Sequence, residues 1–112
     1  MAKDDYHVIL YQILSYLYQS LKLGQNIDPQ MLMRDGKMFQ INQRYYEFIM
    51  ESILLEGYVS GIQIEETMSG KYVIGLEHMY ITPKGIEYLM DNSFIKKAQR
   101  FAKELKEMTP FI

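Results

Sequence analysis

The sequence predicts an α+β domain in which three helices precede a β-hairpin, a short helix and a long C-terminal helix. Two short motifs carry this prediction. Gly57-Tyr58-Val59 has the pattern of a helix stop followed by the start of a strand. Thr82-Pro83, further along the chain, has the pattern of a helix cap followed by a first helical residue, where the missing N–H of proline costs nothing. Helix, hairpin and capped helix in this order are typical of the winged helix-turn-helix fold.

Two helices are predicted in the first part of the chain. The first runs from about residue 4 or 5 to Leu23, because apolar residues recur along it at helical spacing and Gly24 suits the position after a helix. The second is short and begins at Asp28-Pro29, where an acidic cap precedes a proline.

The third helix is predicted from Gln43 to about Glu56, with Asn42 as its cap and Gly57 as its stop. Its apolar spacing assigns a buried face to Tyr45, Phe48, Ile49, Ser52 and Ile53. Its outer face is assigned to Arg44, Glu47 and Glu51, with Tyr46 and Met50 as further candidates.

The hairpin is predicted from Tyr58 to Ile81, with its turn at residues 68–71 and its return as one long or two short strands. The short helix follows from Pro83 to about Asp91. A last helix over residues 93–108 shows an apolar stripe with spacings of four, three and four, formed by Phe94, Ala98, Phe101 and Leu105. Because no long linker interrupts these elements, residues 1–112 are predicted to form a single winged-helix domain with 93–108 as an added C-terminal helix.

The composition predicts a folded cytoplasmic protein without a membrane partner. Hydrophobic residues make up 48% of the chain, which argues against disorder. No stretch approaches the roughly 20 apolar residues that a membrane span needs. The absence of cysteine excludes disulfides and thiolate metal sites. His7 and His78 have no metal-ligand partner at helical spacing, and no catalytic constellation is visible, so we expect neither an enzyme nor a cofactor.

Three motifs in the second half of the chain carry a family resemblance. They are Glu56-Gly57-Tyr58-Val59-Ser60-Gly61, then Tyr80-Ile81-Thr82-Pro83-Lys84-Gly85-Ile86-Glu87-Tyr88-Leu89, then Lys103-Glu104-Leu105-Lys106. With these motifs the chain resembles, over nearly its whole length, the YjcQ-like family of small winged-helix proteins from Gram-positive bacteria and their prophages. The resemblance implies a DNA-binding fold. It implies neither catalytic residues nor a cofactor.

The first turn of the third helix is the candidate DNA-reading element. In a helix-turn-helix this turn meets base edges in the major groove. Arginine can pair with guanine there, and asparagine or glutamine with adenine. The candidate residues are Asn42, Gln43, Arg44 and Tyr46. An ordinary polar helix face is the competing interpretation, because the same helix also carries Glu47, Glu51 and Glu56.

Three basic residues elsewhere are candidate DNA contacts. Lys71 lies at or near the hairpin tip, but Glu65 and Glu66 lie beside it, and Met68-Ser69-Gly70 fits a simple loop tip as well. Lys97 and Arg100 lie on the last helix, whose basic residues could line phosphates or form a solvated face.

The function predicted from these features is that of a DNA-binding winged-helix protein, such as a phage-derived transcriptional regulator that binds duplex DNA. The alternative is a protein-interaction module that binds a host or phage protein without binding DNA. Ten tyrosines, nine methionines and an acidic third helix fit protein contact. A homodimer through the apolar stripe of the C-terminal helix is a further expectation.

Overall fold

The computed structural model describes residues 2–91 and Lys96, and within them it shows an α+β architecture. The described helices are α1 (Tyr6–Leu23), α2 (Pro29–Leu32), α3 (Gln43–Leu55) and α4 (Pro83–Asp91). The strands are β1 (Val59–Ser60), β2 (Gln63–Thr67), β3 (Gly70–Ile74) and β4 (Tyr80–Ile81). This order is compatible with the predicted winged helix. Apart from Lys96, which is helical and exposed, the predicted helix 93–108 lies outside the described residues.

Helix α1 is the centre of the hydrophobic core. Its fully buried side chains recur at helical spacing and pack against α3, α4 and β4: Ile9, Leu10, Ile13, Leu14 and Leu17. The helix ends where the sequence predicts, because Gly24 adopts the left-handed conformation (φ 65°) and its N–H donates to the Leu21 carbonyl. None of the helices among the described residues is long and apolar enough to cross a membrane.

Side-chain caps start the next two helices as predicted. The Asp28 carboxylate accepts from the Gln30 N–H at 3.0 Å, and the Asn42 side-chain oxygen accepts from the Tyr45 N–H at 2.9 Å. Asp28 also accepts from the Lys37 ammonium, and this hydrogen bond, followed by the one from Gln30, lowers the pKa of the Asp28 carboxyl. The stabilisation by this cap is therefore present at neutral pH and is lost as the pH falls through the lowered pKa.

The hairpin consists of two short antiparallel ladders. Val59 pairs with Ile81 in the β1–β4 ladder, whereas the β2–β3 ladder runs from the Gln63–Ile74 pair to the Thr67–Gly70 pair. A 3₁₀ turn at Leu76–His78 separates β3 from β4, so of the two predicted alternatives, one long or two short return strands, the structure has the second. The ladders are interrupted at Gly61 (φ 90°), where a Cβ atom would lie 2.0 Å from the His78 carbonyl oxygen.

Thr82 caps α4 and also attaches it to the end of α3. Its hydroxyl oxygen accepts from the Gly85 N–H at 3.1 Å, and its O–H donates to the carbonyl of Gly57. Its own N–H donates to the Tyr58 carbonyl at 3.1 Å. The predicted cap is confirmed, and it places the first turn of α4 directly against the Gly57 stop of α3.

The predicted buried face of α3 is partly wrong. Ile49 and Ile53 are buried as predicted, but Tyr46 and Met50, assigned to the outer face, are 6% and 0% exposed. Phe48, assigned to the core, is 59% exposed. The two stripes share Ile49 and Ile53 and differ by a rotation of nearly a quarter turn of the helix. Helix α2 decides between them, because the Tyr46 hydroxyl donates to the Leu32 carbonyl at 2.7 Å.

Gln12 and Ser20 are the two buried polar residues of α1 among the described residues, and the amide of Gln12 is the one with an unpaired atom. Gln12 is 5% exposed, its Oε1 has no hydrogen-bond partner among the described residues, and its Nε2 reaches the Met38 carbonyl at a long 3.4 Å. A buried polar atom without a partner costs about 1–3 kcal/mol. We therefore expect Gln12→Met, which keeps the side-chain length, to raise the free energy of unfolding by about 1 kcal/mol in urea denaturation.

The matched control for this prediction is Gln19→Met, the same substitution at an exposed position of α1. It is expected to change the free energy of unfolding by less than about 0.5 kcal/mol. A loss of stability in Gln12→Met would contradict the assignment of this amide as a destabilising group.

Candidate functional site

The first turn of α3 presents three exposed polar side chains to solvent. Asn42 uses its Oδ1 atom to cap the helix at Tyr45, and Gln43 donates from Nε2 to Glu47 at 3.0 Å. Arg44 is exposed and makes no hydrogen bond or ion pair with any described residue. The structure thus brings Asn42, Gln43 and Arg44 together on one turn, with the Arg44 guanidinium as the group whose donors are all available.

Tyr46 does not belong to this surface. Its ring is buried between α2 and α3, and burial raises the pKa of its hydroxyl far above the ordinary value. The prediction of Tyr46 as an outer-face residue that contacts DNA is corrected accordingly: its side chain holds α3 against the end of α2.

Lys71 connects the hairpin to α3. It is the second residue of β3, and the tip of the hairpin is formed by Met68 and Ser69. Its Nζ atom lies 3.0 Å from Oε2 of Glu51 in α3. The hydrogen bond to Glu51, and then the charge of Glu51, raise the pKa of the Lys71 ammonium. Lys71 is therefore charged at neutral pH, but its charge is directed toward Glu51.

Two shallow grooves flank the Lys71–Glu51 pair. One, of about 250 Å³, lies between the first turn of α3 and β3, and Met33, Arg34, Gln43 and Tyr72 are among its lining residues. The other, of about 230 Å³, lies between the last turns of α3 and β2 and is lined by Glu51, Leu54, Leu55, Ile64, Glu66 and Lys71. The first groove is contiguous with the candidate DNA-reading turn through Gln43.

Acidic groups dominate the charge around α3. Of the nearby cations, Arg34 lies 3.5 Å from the Asp35 carboxylate and Lys71 pairs with Glu51. Glu65 and Glu66 on β2 are exposed and form no ion pair with described residues. Phosphate contacts supply much of the affinity of DNA-binding proteins. The described part of this face therefore offers one available cation, Arg44, to a phosphate or a base.

An aromatic cluster beside α3 was not found by sequence reasoning. His7 Nδ1 and the Tyr88 hydroxyl are 2.8 Å apart, and the Tyr58 and Tyr88 rings lie 4.7 Å apart. The Tyr6 ring contacts the Phe48 ring edge-on at 6.1 Å. Burial first, and then neighbouring tyrosines, raise the pKa of Tyr88 to about 12. No local pattern signals this cluster, because its members come from four separate parts of the chain.

Lys97 and Arg100, the remaining candidate DNA contacts, lie outside the described residues. Their relation to the first turn of α3 stays a prediction. No group of three or more histidine or carboxylate side chains that could hold a metal ion is found among the described residues.

The fold and this site define a small α+β protein in which a capped helix with an exposed first turn is flanked by a hairpin. The chain belongs to the YjcQ family: the family described as YjcQ protein matches residues 11–108. This match confirms the resemblance inferred from the sequence motifs, and it includes α3, the hairpin and α4. Comparisons with curated proteins and with solved structures gave no significant match.

Proposed function

We propose that this chain is a winged-helix protein that binds duplex DNA and acts as a transcriptional regulator, with α3 as its reading helix. The observation that supports this proposal best is the exposed first turn of α3, where Arg44 has no partner among the described residues. The hairpin is attached to the same helix by the Lys71–Glu51 pair, as a wing beside a reading helix would be.

The three polar side chains of this turn keep donors and acceptors for base edges. Arg44 can pair with the O6 and N7 atoms of a guanine. Capping uses the Asn42 oxygen, so its NH₂ group remains a donor, and the bond from Gln43 to Glu47 leaves the Gln43 oxygen as an acceptor. Lys97 and Arg100 complete the proposal as phosphate contacts.

The experiment that tests this proposal is a titration of labelled duplex DNA libraries at several salt concentrations. Binding is expected at about 50 mM salt and should weaken steeply as salt rises, because phosphate contacts release counterions. Arg44→Ala should weaken binding to preferred sequences by about 10-fold or more, since a bidentate pair with guanine discriminates by about 1–3 kcal/mol.

Lys22→Ala is the matched control for Arg44→Ala. Lys22 is an exposed cation in the last turn of α1, so the substitution removes the same charge away from the reading turn. It should have a smaller effect that is equal for all sequences. Equal losses in the two variants, or no binding of the unaltered protein at about 50 mM salt, would count against DNA reading by α3.

Protein binding is a second candidate function, and the surface of the hairpin favours it. Met68 at the tip is fully exposed, and Tyr72 and Ile74 on β3 are 50% and 44% exposed. Glu65 and Glu66 lie on the paired strand. An apolar surface with acidic neighbours suits a partner protein better than a phosphate backbone. If the titration shows no DNA binding, protein binding is the candidate function that remains.

Both candidate functions are binding functions, and we propose that the chain acts without catalysing a reaction. Neither groove beside α3 is lined by a histidine. Within the described residues, His7 bonds to Tyr88 and His78 lies 3.5 Å from Glu77 in the 3₁₀ turn, so the two imidazoles are held on separate elements.

A further inference from the structure

Helix α3 exposes apolar side chains that are not part of the hydrophobic core. Phe48 and Leu55 are 59% and 80% exposed, and they are seven residues apart, which places them on the same face of the helix with Ser52 between them. We call Phe48, Ser52 and Leu55 the α3 stripe. Single exposed apolar side chains are common on protein surfaces, but here two lie in line on one helix face, and Leu55 also lines a groove.

The groove next to this stripe has an apolar floor, and its rim carries two carboxylates and the Lys71 ammonium, a net charge of −1; we call it the acidic rim. Leu54, Leu55 and Ile64 supply the apolar side chains, and Glu51 and Glu66 supply the carboxylates. Of these two carboxylates, Glu51 pairs with Lys71, whereas Glu66 has no ion-pair partner among the described residues. A segment that combines apolar and basic side chains would therefore match this face in both polarity and charge.

The sequence contains one such segment at its C-terminal end. Residues 92–112 include five basic and two acidic residues, a net charge of +3. Their apolar side chains recur with the spacing by which an amphipathic helix enters a groove, at Phe94, Ala98, Phe101 and Leu105. We propose that residues 93–108 of the same chain dock on the α3 stripe, with their basic side chains toward the acidic rim.

The end of α4 lies close to this stripe. Tyr88, in the last turn of α4, contacts His7 in the first turn of α1 with 2.8 Å between Nδ1 and the hydroxyl. The adjacent Tyr6 lies edge-on to Phe48 with 6.1 Å between ring centroids. The chain continues from Asp91, and along a helix each further residue advances about 1.5 Å, so residues 93–108 would extend about 24 Å. The stripe from Phe48 to Leu55 is about 10 Å long, so a helix of this length can lie along it. The same chain supplies this segment directly, whereas a second copy would first have to associate.

Docking of this segment would cover part of the face of α3 that also carries Arg44, because Arg44 lies one helical turn before Phe48 on the same side. The part of α3 that could enter a major groove would then be its first turn, which precedes the stripe. This consequence bears on DNA binding, but the docking itself does not rest on the proposed function, because it requires no DNA.

Disulfide trapping tests this proposal directly, since the chain contains no cysteine. Two double variants pair the centre of the α3 stripe with two neighbouring turns of the segment: Ser52→Cys with Ala98→Cys, and Ser52→Cys with Ala102→Cys. Replacing serine or alanine by cysteine changes the side-chain volume little, and circular dichroism of the reduced variants checks that they fold. On addition of oxidised glutathione, which accepts the two electrons, at least one variant should form a disulfide within a single chain.

The matched control joins Ala98→Cys to Leu23→Cys. Leu23 is 58% exposed, close to the 59% of Phe48, but it lies at the opposite end of α1 from Tyr6, about 25 Å along the helix. Trapping at Ser52 should be about 10-fold faster or more, because docking raises the effective concentration of the two thiols.

Non-reducing electrophoresis at micromolar protein concentration and intact mass report the products. A monomeric disulfide at Ser52 that forms faster than at Leu23 supports the proposal. A disulfide between two chains would mean that a second copy docks on the α3 stripe, and it would overturn the proposal. Equal rates at Ser52 and Leu23, or no disulfide at Ser52, also overturn it. DNA titration is independent of these outcomes, so failure here is distinguishable from failure of the proposed function.

Discussion

Replacement of Gly85 by alanine is expected to lower the free energy of unfolding by about 2 kcal/mol or more, because it overpacks a backbone contact. A Cβ atom at this position would lie 2.3 Å from the Tyr58 carbonyl oxygen and 2.8 Å from a side-chain carbon of Ile81. Alanine gains about 1 kcal/mol over glycine in a helix interior. This gain does not offset the displacement of α4 from the end of α3. The midpoint and the slope of the urea denaturation curve measure this change in the free energy of unfolding.

Gly24→Ala separates the steric cost at Gly85 from the general cost of replacing a glycine. Gly24 has a φ of 65°, and no atom of the described residues lies within 4 Å of a Cβ position there, so alanine meets strain of the backbone but no collision with this part of the chain. We expect a loss of about 1 kcal/mol, the ordinary cost of a left-handed non-glycine residue. If Gly85→Ala is no more destabilising than Gly24→Ala, then α4 does not pack against Tyr58 as closely as described.

The second large effect is expected for Met50→Ala, at about 2–4 kcal/mol of unfolding free energy. Met50 is completely buried on the face of α3 that also carries Tyr46 and Ile53. Truncation to alanine removes its buried apolar area and leaves a cavity that the surrounding side chains fill only in part. The same denaturation experiment measures this loss, and the midpoint should shift with an unchanged slope.

Met68→Ala is the matched control for Met50→Ala. The substitution is chemically the same, but Met68 is fully exposed at the hairpin tip. A change smaller than about 0.5 kcal/mol is expected there. Similar losses for the two variants would mean that the Met50 side of α3 is not in the core, and would restore the face that the sequence predicts.

The candidate site was predictable in part. The position of Arg44 at the start of the third helix follows from the Asn42 cap and the Gly57 stop, both of which the structure confirms. The engagement of Lys71 by Glu51 was not predictable, because these residues are 20 positions apart and meet only when the hairpin packs on α3. The structure thus keeps Arg44 in the site and assigns Lys71 to holding the hairpin on α3.

The sequence by itself determined the starts of α2, α3 and α4 and the stops of α1 and α3. Asp28, Asn42 and Thr82 cap α2, α3 and α4 through hydrogen bonds to N–H groups two or three residues along the chain. Such contacts form within one turn, so local sequence is sufficient to specify them. Only the tertiary structure decided which face of α3 is buried. The predicted stripe with Phe48 and the observed stripe with Tyr46 both have helical spacing, and the choice between them depends on what packs on each side. The Leu32 carbonyl accepts the Tyr46 hydroxyl from 14 residues away, and no local rule contains that contact.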